Sequence, residues 1–357
     1  MSPAQIVLFY NLVMFTLVAG ALALVWRQDL PSGPMPLLAP VTGLLFVGTL
    51  GALASPMPGF GKLQLLAWTA FAHLPILLFG EAYVFSKGAP AVARACTGLA
   101  IATLAVGTDA FLVEPHWLAV DRLTLSTPKL DRRVRIAIVA DIQTDAPGAY
   151  EKRVLRRVMA EEPDLILLAG DYIHVADGDQ YRAAGRRLNE MMREVELDAQ
   201  LGIYAVRGNV DWPGEWQGIF AGLPVSALDR SQTFDVGPLA LTELTLQDSA
   251  DTHLTISPQD AFHIVLGHTP NFSLGKMEAD LLVAGHTHGG QIRLPFVGPV
   301  ITLSEVPRGW ASGVTRMASG QTLIVSRGIR MERGHAPRMR FLCRPQLVIV
   351  DLVGVGA

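Results

Sequence analysis

Long, nearly uncharged stretches occupy the first third of the chain. Each has 18 to 20 residues, the length that a helix needs to cross the hydrocarbon core of a bilayer, and they cover residues 6–25, 37–54, 63–80 and 95–113. Proline-rich segments at residues 31–34 and 55–59 follow the first two stretches and are typical of helix ends. The pattern predicts a bundle of about four transmembrane helices within residues 1–113.

The pattern of apolar and polar residues changes after residue 113. Short apolar runs first alternate with amphipathic segments and later follow one another, as strands do. The predicted strands are 134–140, 165–169, 202–206, 239–246, 262–266, 281–284, 321–325 and 346–352, and the predicted helices are 150–160 and 181–196. This order indicates an α/β domain with a two-sheet core flanked by helices. We place the domain at residues 133–357 and a linker at residues 114–132.

The charges follow the same division. Only 7 of the 61 acidic and basic residues lie in residues 1–113, which excludes a disordered chain and a wholly soluble single domain. The net charge of −3 gives no global basic field, so we expect no nucleic-acid partner. We infer no obligate protein partner. The two cysteines, Cys96 and Cys343, are expected to be unpaired thiols.

Polar side chains follow the ends of five predicted strands. They are Asp141, Asp171, Asn209, His268 and the pair His286 and His288. Ligands of open α/β sheets bind beyond the carboxyl ends of the strands, and the two imidazoles of an extended His-x-His lie on one side. Any one of these residues is ordinarily a cap, a turn residue or a surface residue. Their combination predicts a single metal-binding site.

These motifs resemble those of the calcineurin-like metallophosphoesterases. The family's order appears over residues 133–352 as Asp141-x-Gln143, Gly170-Asp171, Gly208-Asn209-Val210-Asp211, Gly267-His268 and Gly285-His286-Thr287-His288. The run GHTHGGQIRLP at residues 285–295, with Ser326-Arg327-Gly328 and Arg344-Pro345, is similar to a membrane-associated bacterial branch. The resemblance implies an α/β fold, a four-layer α/β/β/α sandwich, with two bound divalent metal ions.

The resemblance also implies a role for each matching residue. Asp141 and His288 would bind the first ion, and Gln143 stands at the position of a further ligand of that ion. The second ion would be bound by Asn209, His268 and His286. Asp171 would bridge the two ions. The residues expected to act in catalysis are Asp171, Asn209, Asp211 and His268. Carboxylate, amide and imidazole donors together suit Mn, Fe or Zn. A bridging carboxylate suits two ions about 3.5–4 Å apart.

Two positions depart from the family's pattern. Gln143 replaces the usual histidine of Asp-x-His, and because an amide oxygen is neutral, the first site is expected to be weaker or to prefer a harder ion such as Mn²⁺ or Mg²⁺. Val210 replaces a histidine that often protonates the leaving group, which matters less for a leaving group of low pKa. Asp145 and His174 are either compensating groups or ordinary loop residues.

The expected reaction is hydrolysis of a phosphate ester or pyrophosphate by a hydroxide that two metal ions activate, without a covalent enzyme intermediate. Membrane spans favour a lipid-linked substrate, and the resemblance adds UDP-diacylglucosamine or a phospholipid as examples. The apolar residues 294–300 and the six arginines from Arg327 to Arg344 have three interpretations. In the first, they dock at an anionic membrane surface, and in the second, they bind substrate phosphates. In the third, the apolar residues pack on the domain and the arginines form an ordinary solvated surface.

The lysines and arginines near the span ends indicate an orientation. With four spans, six lie on the side of the amino terminus and the α/β domain (Lys62, Arg122, Lys129, Arg132, Arg133, Arg135) and three on the other (Arg27, Lys87, Arg94). This excess predicts a multi-pass protein of the inner (cytoplasmic) membrane with a cytoplasmic catalytic domain, and one span fewer would reverse it. In the third span, which reaches residue 85 if Glu81 is included, His73 and Glu81 are either functional groups at membrane depth or a packed histidine and a headgroup-level acid.

Three classes of function remain open from the sequence. The first is the metal-dependent hydrolase. The second is a catalytically degenerate metallophosphoesterase-like membrane protein that acts as a sensor or scaffold, which the departures at Gln143 and Val210 motivate. The third is a transporter with a regulatory α/β domain. The presence of only one acid in the buried range of the spans, Glu81, and the shortness of the spans argue against it.

Overall fold

The computed structural model of the protein describes residues 1–27 and 35–355, so the proline-rich segment at 31–34 lies outside it. The chain divides into two units. The first is Met1–Val113 with His335–Arg338, and the second is Glu114–Gly334 with Met339–Ala357. The division after Val113 coincides with the point in the sequence where charged residues become frequent.

The first unit consists of helices. The α-helices are α1 (Pro3–Arg27), α2 (Met35–Ala54), α3 (Gly59–Trp68), α4 (Leu74–Phe85) and α5 (Pro90–Thr108). A π-helical turn at Thr69–His73 joins α3 to α4, and turns at Asp109–Val113 and Glu114–His116 continue α5. Among the described residues, three continuous helical segments are long and apolar enough to cross a membrane, namely Pro3–Arg27, Gly59–Phe85 and Pro90–His116. The described part of α2, Leu38–Ala54, is shorter, so the structure gives three candidate spans where the sequence predicted about four.

The two ionisable residues of the third predicted span are both buried in this unit. Glu81 is 0% exposed, and one of its carboxyl oxygens lies 4.0 Å from Sγ of Cys96. His73 lies in the π-helical turn and packs edge-on against Phe15, with 4.6 Å between the ring centroids. Both side chains therefore face protein neighbours, which for His73 agrees with the packing interpretation. Cys96 and Cys343 are both free thiols, as predicted.

Two six-stranded sheets form the second unit. Its strands are β1 (Ala119–Thr127), β2 (Val134–Val139), β3 (Leu165–Leu168), β4 (Ile203–Ala205), β5 (Val225–Ala227), β6 (Gln232–Val236), β7 (Leu239–Glu243), β8 (Thr255–Ile256), β9 (Phe262–Leu266), β10 (Lys276–Met277), β11 (Leu281–Ala284), β12 (Arg293–Leu294), β13 (Gly298–Pro299), β14 (Gly313–Arg316), β15 (Thr322–Val325) and β16 (Gln346–Gly354). Its α-helices are α6 (Ala149–Ala160), α7 (Gly178–Glu194) and α8 (Leu246–Ala250). The strand order is β1-β16-β2-β3-β4-β5 in one sheet and β14-β15-β11-β9-β7-β6 in the other.

The core lies between the two sheets and beneath the helices. Alternate residues of β2 and β3, such as Ile136 and Leu167, pack against residues of β7 and β9, such as Leu241 and Ile264. The other faces of β2 and β3 pack against α6 and α7, because successive side chains of a strand point to opposite sides. Strands β2, β3 and β4 are parallel neighbours, so their carboxyl ends meet at one edge of the sheet.

Residues 114–132, which we expected to form a linker, contain β1. This strand pairs in parallel with β16 along nine residues, from Ala119 opposite Gln346 to Thr127 opposite Gly354. Its sequence carries Asp121 and Arg122 at exposed positions, as edge strands often do, which hides the apolar pattern of a strand. The mixed α/β core flanked by helices, and all eight predicted strands and both predicted helices of the domain, are present.

A buried acid in the core predicts a dependence of stability on pH. Glu243 ends β7 with 1% exposure, and burial raises its pKa from 4.5 to about 8, against a smaller opposite effect of the Ala205 backbone. Because the folded state binds the proton of Glu243 more tightly than the unfolded state does, protonation of Glu243 stabilises the fold. This stabilisation is fully present below pH 4.5 and is lost as the pH rises through about 8. For Glu243→Gln we expect an unfolding free energy near that of wild type at pH 5 and on the order of 3 kcal/mol higher at pH 9. Thermal midpoints of the detergent-solubilised full-length protein check this, and a difference that does not change with pH contradicts it.

Candidate metal centre

Two loops beyond the carboxyl ends of β2 and β3 form the floor of the site. The backbone N–H of Asp141 donates to Gly170 O (3.0 Å) and that of Gln143 donates to Asp171 O (2.7 Å), so the loops run side by side. Asp141, Gln143 and Asp171 all have positive φ (50°, 32° and 58°), an uncommon conformation for non-glycine residues that is concentrated at functional sites. The strained turns bring the side chains of the two loops towards the same place.

The first cluster consists of Asp141, Asp171 and His288. One ligand atom of each lies within 4.8 Å of the others, and the three side chains are at most 1% exposed. Burial raises the pKa of Asp141 well above its ordinary value and that of Asp171 to about 7, and it lowers the pKa of His288. Since burial opposes the charged forms of both carboxyls, a cation bound by them would offset that cost by favourable charge interaction.

The second cluster surrounds Asn209. Its Oδ1 lies 2.9 Å from Nε2 of His268 and 2.7 Å from Nδ1 of His286, and Nε2 of His268 lies 3.5 Å from Oδ2 of Asp171. Nδ1 of His268 lies 2.8 Å from the carbonyl of Ala169, which leaves Nε2 to face the other polar groups. Burial lowers the pKa of both histidines to about 4, so they are neutral at pH 7, as metal ligation requires.

The two clusters are joined. Besides the contact of His268 with Asp171, the backbone N–H of His286 donates to Oδ1 of Asp141 (3.0 Å). The structure therefore gathers the six strand-end residues of the sequence analysis, which lie between positions 141 and 288, into one connected group. Their assignment to two metal ions stays a prediction.

Three buried atoms of the site have no hydrogen-bond partner within the described structure. They are Oδ2 of Asp141, Oε1 of Gln143 and Nε2 of His288. Buried polar atoms are rarely left without a partner in folded proteins, because each costs about 1–3 kcal/mol. Two oxygens and one imidazole nitrogen are suitable donors for a divalent cation of the Mn, Fe or Zn type, so the residues present fit such an ion.

Asp211 occupies a different position from the six. Its carboxylate accepts hydrogen bonds from the backbone N–H groups of Asp171, Tyr172 and Gly208, each at 2.8 Å, and the side chain is 3% exposed. Burial raises its pKa to about 7. The residue joins the loop after β3 to the loop after β4, and its contacts are with main-chain atoms. A catalytic role of Asp211 stays a prediction, and no histidine stands at residue 210 for it to orient.

The two candidate compensating residues lie at the rim of the first cluster. Nδ1 of His174 lies 3.0 Å from Nε2 of Gln143 and 3.4 Å from Oε1 of Glu332. Asp145 lies 3.5 Å from Nη2 of Arg333, whose Nε donates to the carbonyl of Gln143 (3.0 Å). Sequence analysis considered the segment that contains Glu332 and Arg333 but did not place either residue beside Gln143, because about 190 positions separate them from it and no motif marks them.

The arginine-rich segment is only partly a surface. Arg340 is 0% exposed, and its guanidinium donates to the carbonyls of Cys343 (2.9 Å) and Arg327 (2.7 Å). Arg330 pairs with Glu151 at 2.7 Å. These arginines hold the backbone after β15 in place. By contrast, the tip of the β12–β13 hairpin is apolar and exposed, with Phe296 fully accessible and Val297 60% exposed.

Comparisons with known proteins agree with the motifs. The family model described as calcineurin-like phosphoesterase matches residues 134–290. YkuE, an uncharacterized metallophosphoesterase of Bacillus subtilis (strain 168), is 31% identical over 216 residues, 56% of this chain and 72% of that protein. An uncharacterized metallophosphoesterase of Aquifex aeolicus (strain VF5) is 29% identical over 272 residues, 68% of this chain and 95% of that protein. The UDP-2,3-diacylglucosamine pyrophosphatase LpxG of Chlamydia muridarum is 23% identical over 307 residues, 67% of this chain and 90% of that protein.

The matched region begins at β2 and ends just after the His-x-His segment, so it contains every residue of the two clusters. YkuE, which is 31% identical over the aligned residues, is also covered over 72% of its own length. This chain therefore belongs to the calcineurin-like phosphoesterase family.

Proposed function

We propose that the protein is a metal-dependent hydrolase of phosphate esters or pyrophosphates, and that its substrate is lipid-linked. The observation that carries the proposal is the convergence of six oxygen and imidazole donors with three buried, unpartnered ligand atoms. A structural cluster without a ligand would leave these atoms unsatisfied at a cost of about 1–3 kcal/mol each.

The residues divide into two ligand sets in this proposal. The first set is Asp141, Gln143 and His288, the second is Asn209, His268 and His286, and Asp171 is shared. Two divalent ions bound there would supply an activated water nucleophile and neutralise charge on the phosphoryl oxygens. The chain's own contribution to this reaction is to hold the ligand side chains in position. The carbonyl of Ala169 fixes the tautomer of His268, and Asp211 holds Asp171 through its backbone amide.

Three observations support a lipid-linked substrate and a membrane location. Three helical segments are long and apolar enough to cross a bilayer, and we propose α2 as a fourth. The relative LpxG is named for a pyrophosphatase activity on a diacylated nucleotide sugar. The exposed hairpin tip at Phe296 and Val297 offers apolar surface, and its strand β13 returns to the His-x-His segment, where Gly290 lies against Pro299. We further propose an inner-membrane protein with a cytoplasmic domain, in which helices cover both outer faces of the paired sheets as a four-layer sandwich.

Removal and return of metal tests this function. The full-length protein in detergent, stripped with EDTA, is expected to lose hydrolysis of bis-p-nitrophenyl phosphate and of a UDP-linked diacylglucosamine in mixed micelles, and to regain both with Mn²⁺. The expected loss is at least about a thousandfold, since the activated nucleophile depends on the ions. Activity that EDTA leaves unchanged contradicts a metal-dependent reaction. Two bound Mn²⁺ ions with no hydrolysis of any phosphate ester would instead support the sensor or scaffold.

A further inference from the structure

Glu332 places a carboxylate beside the first metal cluster, next to His288 and outside the three residues whose ligand atoms lie within 4.8 Å of one another. It is the single acidic residue between Arg327 and Arg344, and its side chain is only 16% exposed. Its Oε2 lies 3.9 Å from Nε2 of His288, one of the unpartnered buried atoms. Two ligands that each lie about 2.1 Å from one ion are at most about 4.2 Å apart, so this separation suits a shared cation.

His174 lies between Gln143 and the same carboxylate. Nδ1 of His174 lies 3.0 Å from the amide nitrogen of Gln143 and 3.4 Å from Oε1 of Glu332. Because the nitrogen is engaged there, the amide oxygen Oε1 is the atom left buried without a partner. Oxygen, and not nitrogen, is therefore the available ligand atom of Gln143, and Glu332 adjoins this side chain through His174.

The charge at this cluster also favours a cation. Asp141, Asp171 and Glu332 can together supply three negative charges, where Gln143 supplies none. Hard ions such as Mn²⁺ and Mg²⁺ prefer carboxylate oxygen, whereas an imidazole at position 143 would have suited Zn²⁺ as well. A neutral amide at residue 143 and an added carboxylate at residue 332 are therefore complementary changes.

We propose that Glu332 is a ligand of the first divalent ion, and that it compensates for the glutamine at residue 143. The proposal rests on the metal centre of the proposed function and adds to it a residue outside the motifs. A purely structural alternative is available, because Oε1 of Glu332 also lies 3.4 Å from Nδ1 of His174 and accepts from the backbone N–H of Arg333 (3.1 Å). In that case the side chain would tie loops together without affecting metal affinity.

The two cases differ in the affinity for Mn²⁺. The metal-free full-length protein in detergent is titrated with Mn²⁺, and the free ion is measured by electron paramagnetic resonance. The wild type is expected to bind two ions. Glu332→Gln is expected to bind one of them more weakly, with a dissociation constant raised by at least about tenfold. Glu332→Asp, which keeps the charge on a shorter side chain, is expected to lie between them. The control is Glu278→Gln, because Glu278 is exposed and paired with Lys276 at 3.0 Å.

Unchanged dissociation constants in Glu332→Gln, with two ions bound, would overturn the proposal, as would a wild-type protein that binds no Mn²⁺. Circular dichroism of the metal-free variants shows whether they fold, and if Glu332→Gln does not, Glu332→Asp carries the comparison. Hydrolysis is measured separately. A wild type that binds two ions and hydrolyses nothing rejects the proposed function alone, whereas an active wild type with an unaffected Glu332→Gln rejects only the role of Glu332.

Discussion

Asp171→Asn is expected to lower the rate of bis-p-nitrophenyl phosphate hydrolysis by at least about a thousandfold in the presence of Mn²⁺. Asp171 lies between the two clusters, within 4.8 Å of the Asp141 and His288 ligand atoms and 3.5 Å from His268. An asparagine is nearly the same size, but it has no charge and offers only one oxygen, so it cannot join two cations. We also expect the variant to retain fewer than two Mn²⁺ ions per chain after gel filtration, as measured by elemental analysis.

We expect Asp171→Asn to fold, so misfolding would not explain its loss of hydrolytic activity. The asparagine oxygen can still accept the hydrogen bond from the Val210 backbone, which is 3.0 Å long in the wild type. Replacing a buried carboxyl whose pKa is raised to about 7 by burial also removes a desolvation cost, so the thermal midpoint in EDTA should not fall. Asp179→Asn is the matched control, because that side chain is 91% exposed on α7. Wild-type activity in Asp171→Asn would show that the reaction does not pass through this site.

Gly208→Ala is expected to have the second-largest effect, although it adds only one methyl group. A Cβ at residue 208 would lie 2.0 Å from Oδ1 and 2.2 Å from the backbone nitrogen of Asp171, far inside van der Waals contact. The loop after β4 must therefore move away from Asp171, taking Asn209 with it and lengthening the Gly208 hydrogen bond to Asp211. We expect at least a hundredfold loss of hydrolysis and a destabilisation of about 1–3 kcal/mol, typical of overpacking.

Gly218→Ala is the matched control for Gly208→Ala. Gly218 lies in the same unit, within the 3₁₀ turn Trp216–Phe220, and a Cβ there would meet no atom within 4 Å. We expect this protein to keep the activity and thermal midpoint of the wild type. If Gly208→Ala behaves like Gly218→Ala in both measurements, the tight approach of the two loops is not needed for the site.

The regular pattern of apolar residues located eight of the sixteen strands and two of the three α-helices described in the second unit. Strands such as β3 and β11 are continuous apolar runs because they are buried on both faces, and α7 is recognised by its amphipathic period. Edge strands were missed, as β1 and β14 show, because solvent on one side permits charged residues that interrupt the pattern. The count of spans also differed, since the described part of α2 is shorter than a membrane-crossing helix.

The site was partly predictable for a related reason. Residues that follow parallel strands converge at one sheet edge, so Asp141, Asp171 and Asn209 could be placed together from their positions in the sequence. The contact of His286 with Asp141 depends on how the second sheet packs against the first, for which the sequence offered only a resemblance. The Asp211 contacts, with three backbone amides, were not predictable either.

The sequence by itself determined which segments are apolar enough for a membrane, which become strands and helices, and which donor types stand at the strand ends, because these properties follow from local periodicity and residue chemistry. Only the tertiary structure decided that Glu332 faces His288, that Arg340 is a buried support of the backbone after β15, and that Asp211 binds main-chain amides. Asp211 and Asp171 are 40 positions apart, and Arg333 and Gln143, which also meet at the site, are 190 apart. Their contacts are set by the packing of two sheets and the loops between them, which no local pattern encodes.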